Sequence, residues 1–178
     1  MEPVSEPVSE PVSEPVSEEP VTLPAAVVVA SNRAAAGVYA DETGPLIVDW
    51  LRAQGFACDD PAVVPDGDPV RDAIAAAVAA GARLVLTTGG TGLTPTDRTP
   101  EATRALVDHE VPGIGEAIRA AGVAKGVPTA MLSRGTAGLV GSCLVVNLPG
   151  SRGGVKDGLG VLEPVLRHAV EQVVGSDH

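Results

Sequence analysis

Residues 84–101 read Leu84-Val85-Leu86-Thr87-Thr88-Gly89-Gly90-Thr91-Gly92-Leu93-Thr94-Pro95-Thr96-Asp97-Arg98-Thr99-Pro100-Glu101. The aliphatic start predicts a buried strand. It breaks into a loop with three glycines in four residues, Gly89, Gly90 and Gly92. A helix-start signal follows, with Thr99 as N-cap, Pro100 at the first helical position and Glu101 in the first turn. Strand, glycine loop and helix N-terminus together favour an anion. Glycines let backbone N–H groups turn toward an oxyanion, and the helix dipole adds positive potential there.

The same order recurs on both sides of this stretch. Upstream, residues 25–30 (Ala-Ala-Val-Val-Val-Ala) read as a buried strand that runs into Ser31-Asn32-Arg33 and a small-residue loop. A helix starts at Asp41, with Leu46, Ile47, Trp50 and Leu51 at helical spacing, and residues 56–64 read as a second strand. In Pro65-Asp66-Gly67-Asp68-Pro69, Asp68 precedes a proline and suits the N-cap of a helix over 70–80. Asp66 has no cap to make; it is either an ordinary turn residue or free for chemistry. Downstream, the helix from Pro100 breaks at Pro112-Gly113 and restarts over 114–121. Residues 127–132 read as extended and end in Ser133-Arg134-Gly135. A buried strand over 142–148 breaks into Pro149-Gly150-Ser151-Arg152, and a last helical stretch runs to about residue 174, with Pro164 starting a fresh helix within it. Apolar strands alternating with amphipathic helices predict an α/β fold with a parallel sheet covered on both faces. Such sheets bind ligands at the carboxyl ends of their strands.

Composition narrows the function. The chain has 178 residues and a formal charge of −11, but six glutamates fall in residues 1–24, which carry no Lys or Arg. The remainder holds 17 acidic against 12 basic residues. No basic patch suits duplex nucleic acid, and one Trp, one Tyr and one Phe make no stacking platform. Residues 2–17 are four copies of Glu-Pro-Val-Ser, followed by Glu19-Pro20-Val21-Thr22. A proline every fourth residue forbids a helix, so residues 1–24 are expected to be an extended, disordered tail, either a solvating extension or a tether. The folded domain is expected over 25–178. Cys58 and Cys143 fit no disulfide framework or zinc site, and neither His109, His168 nor His178 has metal-ligand spacing. With no signal peptide and no run of 18 apolar residues, the expected location is cytoplasmic and off the membrane.

The standard phosphate motifs fail. There is no G-x-x-x-x-G-K-[ST], and Gly89, Gly90 and Gly92 do not fit G-x-G-x-x-G. A second glycine loop at Gly150 also lies between a buried strand and a helix. Five of the 12 basic residues, Arg33, Arg98, Arg134, Arg152 and Lys156, fall in or beside loops that leave predicted strands, where they could offset phosphate charge. Asp66 and Asp97 are expected to face that same edge from adjacent strand ends. Two carboxylates beside phosphates suit Mg²⁺ held partly through water. They suit a glycosidase less well, because the chain lacks sugar platforms.

Thr87-Thr88-Gly89-Gly90-Thr91-Gly92, Asp97, Thr99-Pro100-Glu101-Ala102-Thr103, Pro112-Gly113, Leu132-Ser133-Arg134-Gly135 and Asn147-Leu148-Pro149-Gly150-Ser151 stand in this order. Together they resemble the molybdenum-cofactor family that includes the bacterial molybdopterin adenylyltransferase, its paralogue in the same pathway, and the G domains of gephyrin and its plant counterpart. The resemblance spans roughly residues 25–174. It implies a three-layer α/β/α sandwich with a mostly parallel sheet, assembled as a homotrimer. It implies that the terminal phosphate of molybdopterin attacks the α-phosphorus of MgATP, giving adenylylated molybdopterin and pyrophosphate. A downstream molybdate-insertion protein is an implied partner. The family's two carboxylates match Asp66 and Asp97, which would act on Mg²⁺ and water. Thr88, Gly89, Gly90, Thr91, Gly92, Ser133, Arg134 and Gly135 would cradle phosphate, and Pro149, Gly150 and Ser151 would shape the second loop. Where many relatives carry Ser-Asp-Arg after the first strand, this chain has Ser31-Asn32-Arg33. The alternative is a molybdopterin-binding member of the same fold without catalysis. The presence of both Asp66 and Asp97 favours the enzyme, since a pure binder has no need for both.

Overall fold

A computed structural model describes residues 22–175. The expected tail falls almost wholly outside them, as does His178. Seven strands form one sheet in the order β2-β1-β4-β7-β6-β5, with β3 (Ala62–Val64) also paired to β1. The centre is β1 (Pro24–Ala30), β4 (Leu84–Thr88) and β7 (Cys143–Leu148), all parallel. β2 (Ala57–Cys58) and β3 run parallel to β1. β5 (His109–Glu110) and β6 (Ala137–Val140) add an antiparallel edge.

Alternation along the central strands sorts their side chains to two cores. Val27, Val29, Leu84, Leu86, Val146 and Leu148 join the larger one. Against it lie α2 (Thr43–Ala53), α5 (Pro112–Ala124), α6 (Arg152–Leu162) and α7 (Leu166–Val173), through residues such as Ile47, Ile118, Val155 and Val170. Val28, Ala30, Val85 and Val145 point the other way, onto Val70 and Ile74 of α3 (Asp68–Ala79) and Ala102 of α4 (Thr99–Arg104). This is a helix–sheet–helix sandwich with a mostly parallel sheet, as the sequence predicts. Full burial of aliphatic side chains on both sheet faces is the main stabilising term.

Several local expectations need correcting. The second strand is two short pieces. Between the pairs Ala25–Cys58 and Val28–Ala62, two residues of β1 oppose three of its partner, including Asp59, Asp60 and Pro61. Pro61 has no N–H to give the ladder, and the extra residue is a bulge. The segment after Ser31 is not all loop: Ser31 Oγ accepts from Ala34 N and caps a single turn, α1 (Asn32–Ala35). The stretch expected to be extended near residue 130 is a 3-10 helix, Pro128–Leu132. Asp68 is no cap. It lies in the first turn of α3, accepts no capping hydrogen bond, and pairs with Arg71 at 3.5 Å. Thr99 likewise falls one residue inside α4, whose N-cap is Arg98. The β6–β7 hairpin was not anticipated. Its two-residue turn uses Gly141 at φ +56°, a conformation open to glycine at little cost. Cys58 and Cys143 are both buried, and burial pushes the Cys143 thiol up to about 12.

Candidate functional site

The carboxyl ends of β1, β4 and β7 meet with almost no side-chain volume between them. A Cβ on Gly89 would lie 2.3 Å from the Ala30 carbonyl oxygen, and one on Gly150 would lie 3.2 Å from the Gly89 Cα. Thr88 Oγ1 donates to the Pro149 carbonyl at 2.7 Å and ties the two glycine loops together. The joined loops form a ridge between two cavities. One, of about 610 Å³, is lined on the loop side by Gly90, Thr91, Gly92, Asp97 and Ser151. The other, of about 590 Å³, is lined by Ser31, Tyr39, Asp41, Thr88, Gly89 and Arg152. Gly150 borders both.

Loop 89–98 is folded back on itself. Thr99 N donates to the Gly90 carbonyl at 3.0 Å, and Thr94 N and Oγ1 both donate to Asp97 Oδ2, at 3.1 and 2.7 Å. Arg134 closes it from outside. Its backbone N–H donates to Thr91 O at 2.8 Å, Nε to Gly92 O at 2.8 Å and Nη2 to Asp97 O at 2.6 Å, while Nη1 bonds Glu101. The Arg134 guanidinium holds the Glu101 carboxyl below its usual range. Arg134 was expected to cradle phosphate; here its guanidinium nitrogens are used on the loop.

The opposite flank of the loop has no such closure. Asp66 follows β3, and its backbone N–H donates to Asn32 Oδ1 at 3.0 Å. An amide oxygen serves that bond as well as a carboxylate oxygen would, so the Asn at position 32 keeps an anchor for Asp66 without adding a third charge. Asp66 Oδ1 and Thr99 Oγ1 are both buried, and neither has a hydrogen-bond partner among the described residues. Both stand against Gly90: a Cβ there would lie 2.2 Å from Asp66 Oδ1 and 2.3 Å from Thr99 Oγ1. Burial, and then the nearby charge of Asp97, push the Asp66 carboxyl above its ordinary value. One expectation is corrected here. Strands β3 and β4 are not adjacent, because β1 lies between them; the loop itself brings the two carboxylates near each other.

A family model described as a probable molybdopterin binding domain matches residues 26–168. The chain belongs to that family. The molybdenum cofactor biosynthesis bifunctional protein of Synechococcus elongatus is 44% identical over 155 residues, 86% of this chain and 48% of that protein. The chain thus spans about half the length of the bifunctional relatives. The molybdopterin adenylyltransferase of Haemophilus influenzae is 40% identical over 144 residues, covering 77% of this chain and 71% of that one. Among solved structures, the Mog protein of Mycobacterium ulcerans superposes with a TM-score of 0.82 at 52% identity, over 85% of this chain and 99% of that one.

Two features of this domain, Asn147 and Arg119, escaped the sequence reading. Asn147, buried in β7, donates through Nδ2 to Thr87 Oγ1 at 3.0 Å and Thr103 Oγ1 at 2.9 Å, and its Oδ1 accepts from Thr136 N at 3.2 Å. It ties β4, α4 and the strand after Gly135 together beneath the loops. Arg119 of α5 donates to the Gly135 carbonyl at 2.9 Å and shapes the turn that presents Ser133 to the larger cavity. The helix N-terminus at that cavity belongs to α6, through Gly153 and Gly154, whereas Thr99 and Pro100 at the start of α4 are buried in the fold. Ser151 caps α6 by accepting from Gly154 N at 3.0 Å. A buried polar Asn and a lone Arg on a helix carry no local sequence signal; only their tertiary partners give them a role.

Proposed function

We propose that this domain transfers the adenylyl group of MgATP to the terminal phosphate of molybdopterin, giving adenylylated molybdopterin and pyrophosphate. The observation that carries this reading is the Asp66 corner. A carboxylate oxygen is buried, without a partner among the described residues, against the glycine loop that also holds Asp97. A buried anion without a donor is costly on its own and is stabilised by a cation.

The residues fit Mg²⁺, which takes one or two carboxylates and completes its shell with water and substrate phosphates. No cluster of three or more His, Cys, Asp or Glu exists among the described residues, so a dedicated protein cage is not what the site offers. Asp66 and Asp97 would hold the ion, which when bound neutralises phosphate charge. The loop glycines and the first turn of α6 supply N–H groups to phosphate oxygens. The attacking phosphate is already ionised, so no protein nucleophile is needed. A bond forms from its oxygen to the α-phosphorus as the bond to the bridging oxygen breaks, and pyrophosphate leaves with the electron pair. The enzyme's task is to hold the two anions in line.

We also propose a homotrimer as the working assembly; Leu93, Met131 and Leu132 stay exposed near the larger cavity and form apolar surface that an assembly would cover. We further propose a cytoplasmic enzyme that passes its product to a molybdate-insertion protein; no helix of the described residues is long and apolar enough to cross a membrane. The test is direct. Purified protein is mixed with MgATP and molybdopterin and assayed for adenylylated product. Tight pterin binding without product would leave a binding-only member of the family.

A further inference from the structure

The larger cavity has two unlike ends. Gly90, Gly92 and the first turn of α6 form a donor-rich end. Ile118, Val127, Ala130 and Leu132 form apolar walls suited to a flat ring. Of the residues lining it, two are carboxylates, Asp97 on the loop and Asp157 on α6. Asp157 shares a helix face with Gly153 and Gly154, four and three residues earlier. It lies about 9 Å along the axis from the Ser151 cap, at 1.5 Å per residue. Its Oδ1 accepts from Lys125 Nζ of the segment after α5 at 2.6 Å, and its side chain is 19% exposed. Oδ2 receives no hydrogen bond from the described residues.

We propose that Asp157 selects the pterin, by accepting the ring N3–H and the 2-amino group of its pyrimidinone edge. This assignment rests on the molybdopterin reading above. A pterin presents two donors side by side on that edge, the pattern a carboxylate accepts best. Adenine places a donor beside an acceptor, so one contact with a carboxylate would be repulsive. The same charge turns the substrate's phosphate away, toward the loop and the α6 N-terminus. Lys125 does not line the cavity. It holds the carboxylate in place and leaves one oxygen to the ligand. The ion pair thus does a second job beyond joining α5 to α6.

The test uses the full chain and two ring probes, 6-hydroxymethylpterin and the matching lumazine, in which a 2-oxo group replaces the 2-amino group. Each is titrated by calorimetry and as an inhibitor of adenylyl transfer. The unaltered protein is expected to prefer the pterin by about tenfold or more. Asp157→Asn, with one acceptor and one donor, should bring the two probes within about twofold of each other and leave KM for ATP within about twofold. Lys125→Met should keep the preference, because the carboxylate remains. The assignment is overturned if Asp157→Asn weakens both probes equally, if Lys125→Met abolishes the preference equally well, or if KM for ATP rises instead. If the unaltered protein makes adenylylated product but binds both probes alike, only the Asp157 assignment falls. If it binds neither probe and makes no product, the molybdopterin reading falls, and this one with it.

Discussion

The glycine loop has a closed flank and an open flank. On the closed flank, Arg134 gives its hydrogen bonds to Gly92 O, Asp97 O and Glu101, and Asp97 accepts two from Thr94. On the open flank, Asp66 Oδ1 and Thr99 Oγ1 sit buried against Gly90 with no partner among the described residues. Both flanks carry a carboxylate, and the two are pushed in opposite directions: Glu101 down by Arg134, Asp66 up by burial and by Asp97. Satisfied hydrogen bonds fix a loop in one conformation; unsatisfied ones keep a site ready for a ligand. The closed flank therefore sets where Asp97 stands, and the open flank is where we propose the cation and phosphates bind.

The largest expected effect tests whether the open flank is catalytic. Asp66→Asn should lower adenylyl transfer about 100-fold or more while pterin binding changes less than about tenfold, measured by product formation and by titration. If transfer survives, the open flank is only a packing fault. Gly90→Ala comes next. It forces a side chain onto a residue at φ +65° and drives a methyl into Asp66 Oδ1 and Thr99 Oγ1. A loss of about 2–4 kcal/mol in denaturant unfolding is expected, as strain and overpacking add. Arg134→Met attacks the closed flank instead. It removes donors from two loop carbonyls, Gly92 O and Asp97 O, and from the Glu101 carboxylate, all partly open to water, so about 1–2 kcal/mol is expected, with KM for substrate rising as the loop loosens.

The smallest effects are in pH dependence, and here the flanks should differ in sign. Asp66 binds its proton more tightly in the folded state than in the unfolded one. Its stabilising contribution is therefore full below the ordinary value of 3.8 and is lost as pH rises through the raised value. Glu101 does the reverse: its contribution is present above 4.5 and is lost as pH falls through the lowered value. In melting curves taken across this acidic range, Asp66→Asn should remove a decline in Tm with rising pH, and Glu101→Gln a decline with falling pH. The same sign of change in both variants would contradict the contrast between the flanks.

Much of this was legible in the sequence, for local reasons. The aliphatic runs in β1, β4 and β7 are continuous because both sheet faces are buried, and that pattern alone specifies a parallel α/β sheet. The glycine loops were visible because backbone crowding leaves no room for a Cβ, as at Gly89 and Gly150. Asp66 was separable from Asp68 in sequence, although the reason changed: Asp68 meets Arg71 in the first turn of α3 rather than capping it. Pairings between distant segments were not legible. The broken edge strand, the antiparallel β5–β6 edge and the 3-10 helix depend on what lies beside them, and strand propensity cannot report that.

The sequence by itself determined the order of elements, the positions of the two glycine loops and the presence of two candidate carboxylates. Tertiary structure alone decided which groups have partners. Arg134, expected to face a phosphate, bonds the loop backbone, and Asn147 joins residues 44 and 60 positions away. The helix N-terminus that lines the larger cavity belongs to α6, while Thr99 and Pro100 at the start of α4 are buried. The physical reason is range. Propensity and periodicity act over a few residues, whereas hydrogen-bond satisfaction and burial are settled between groups that only folding brings together.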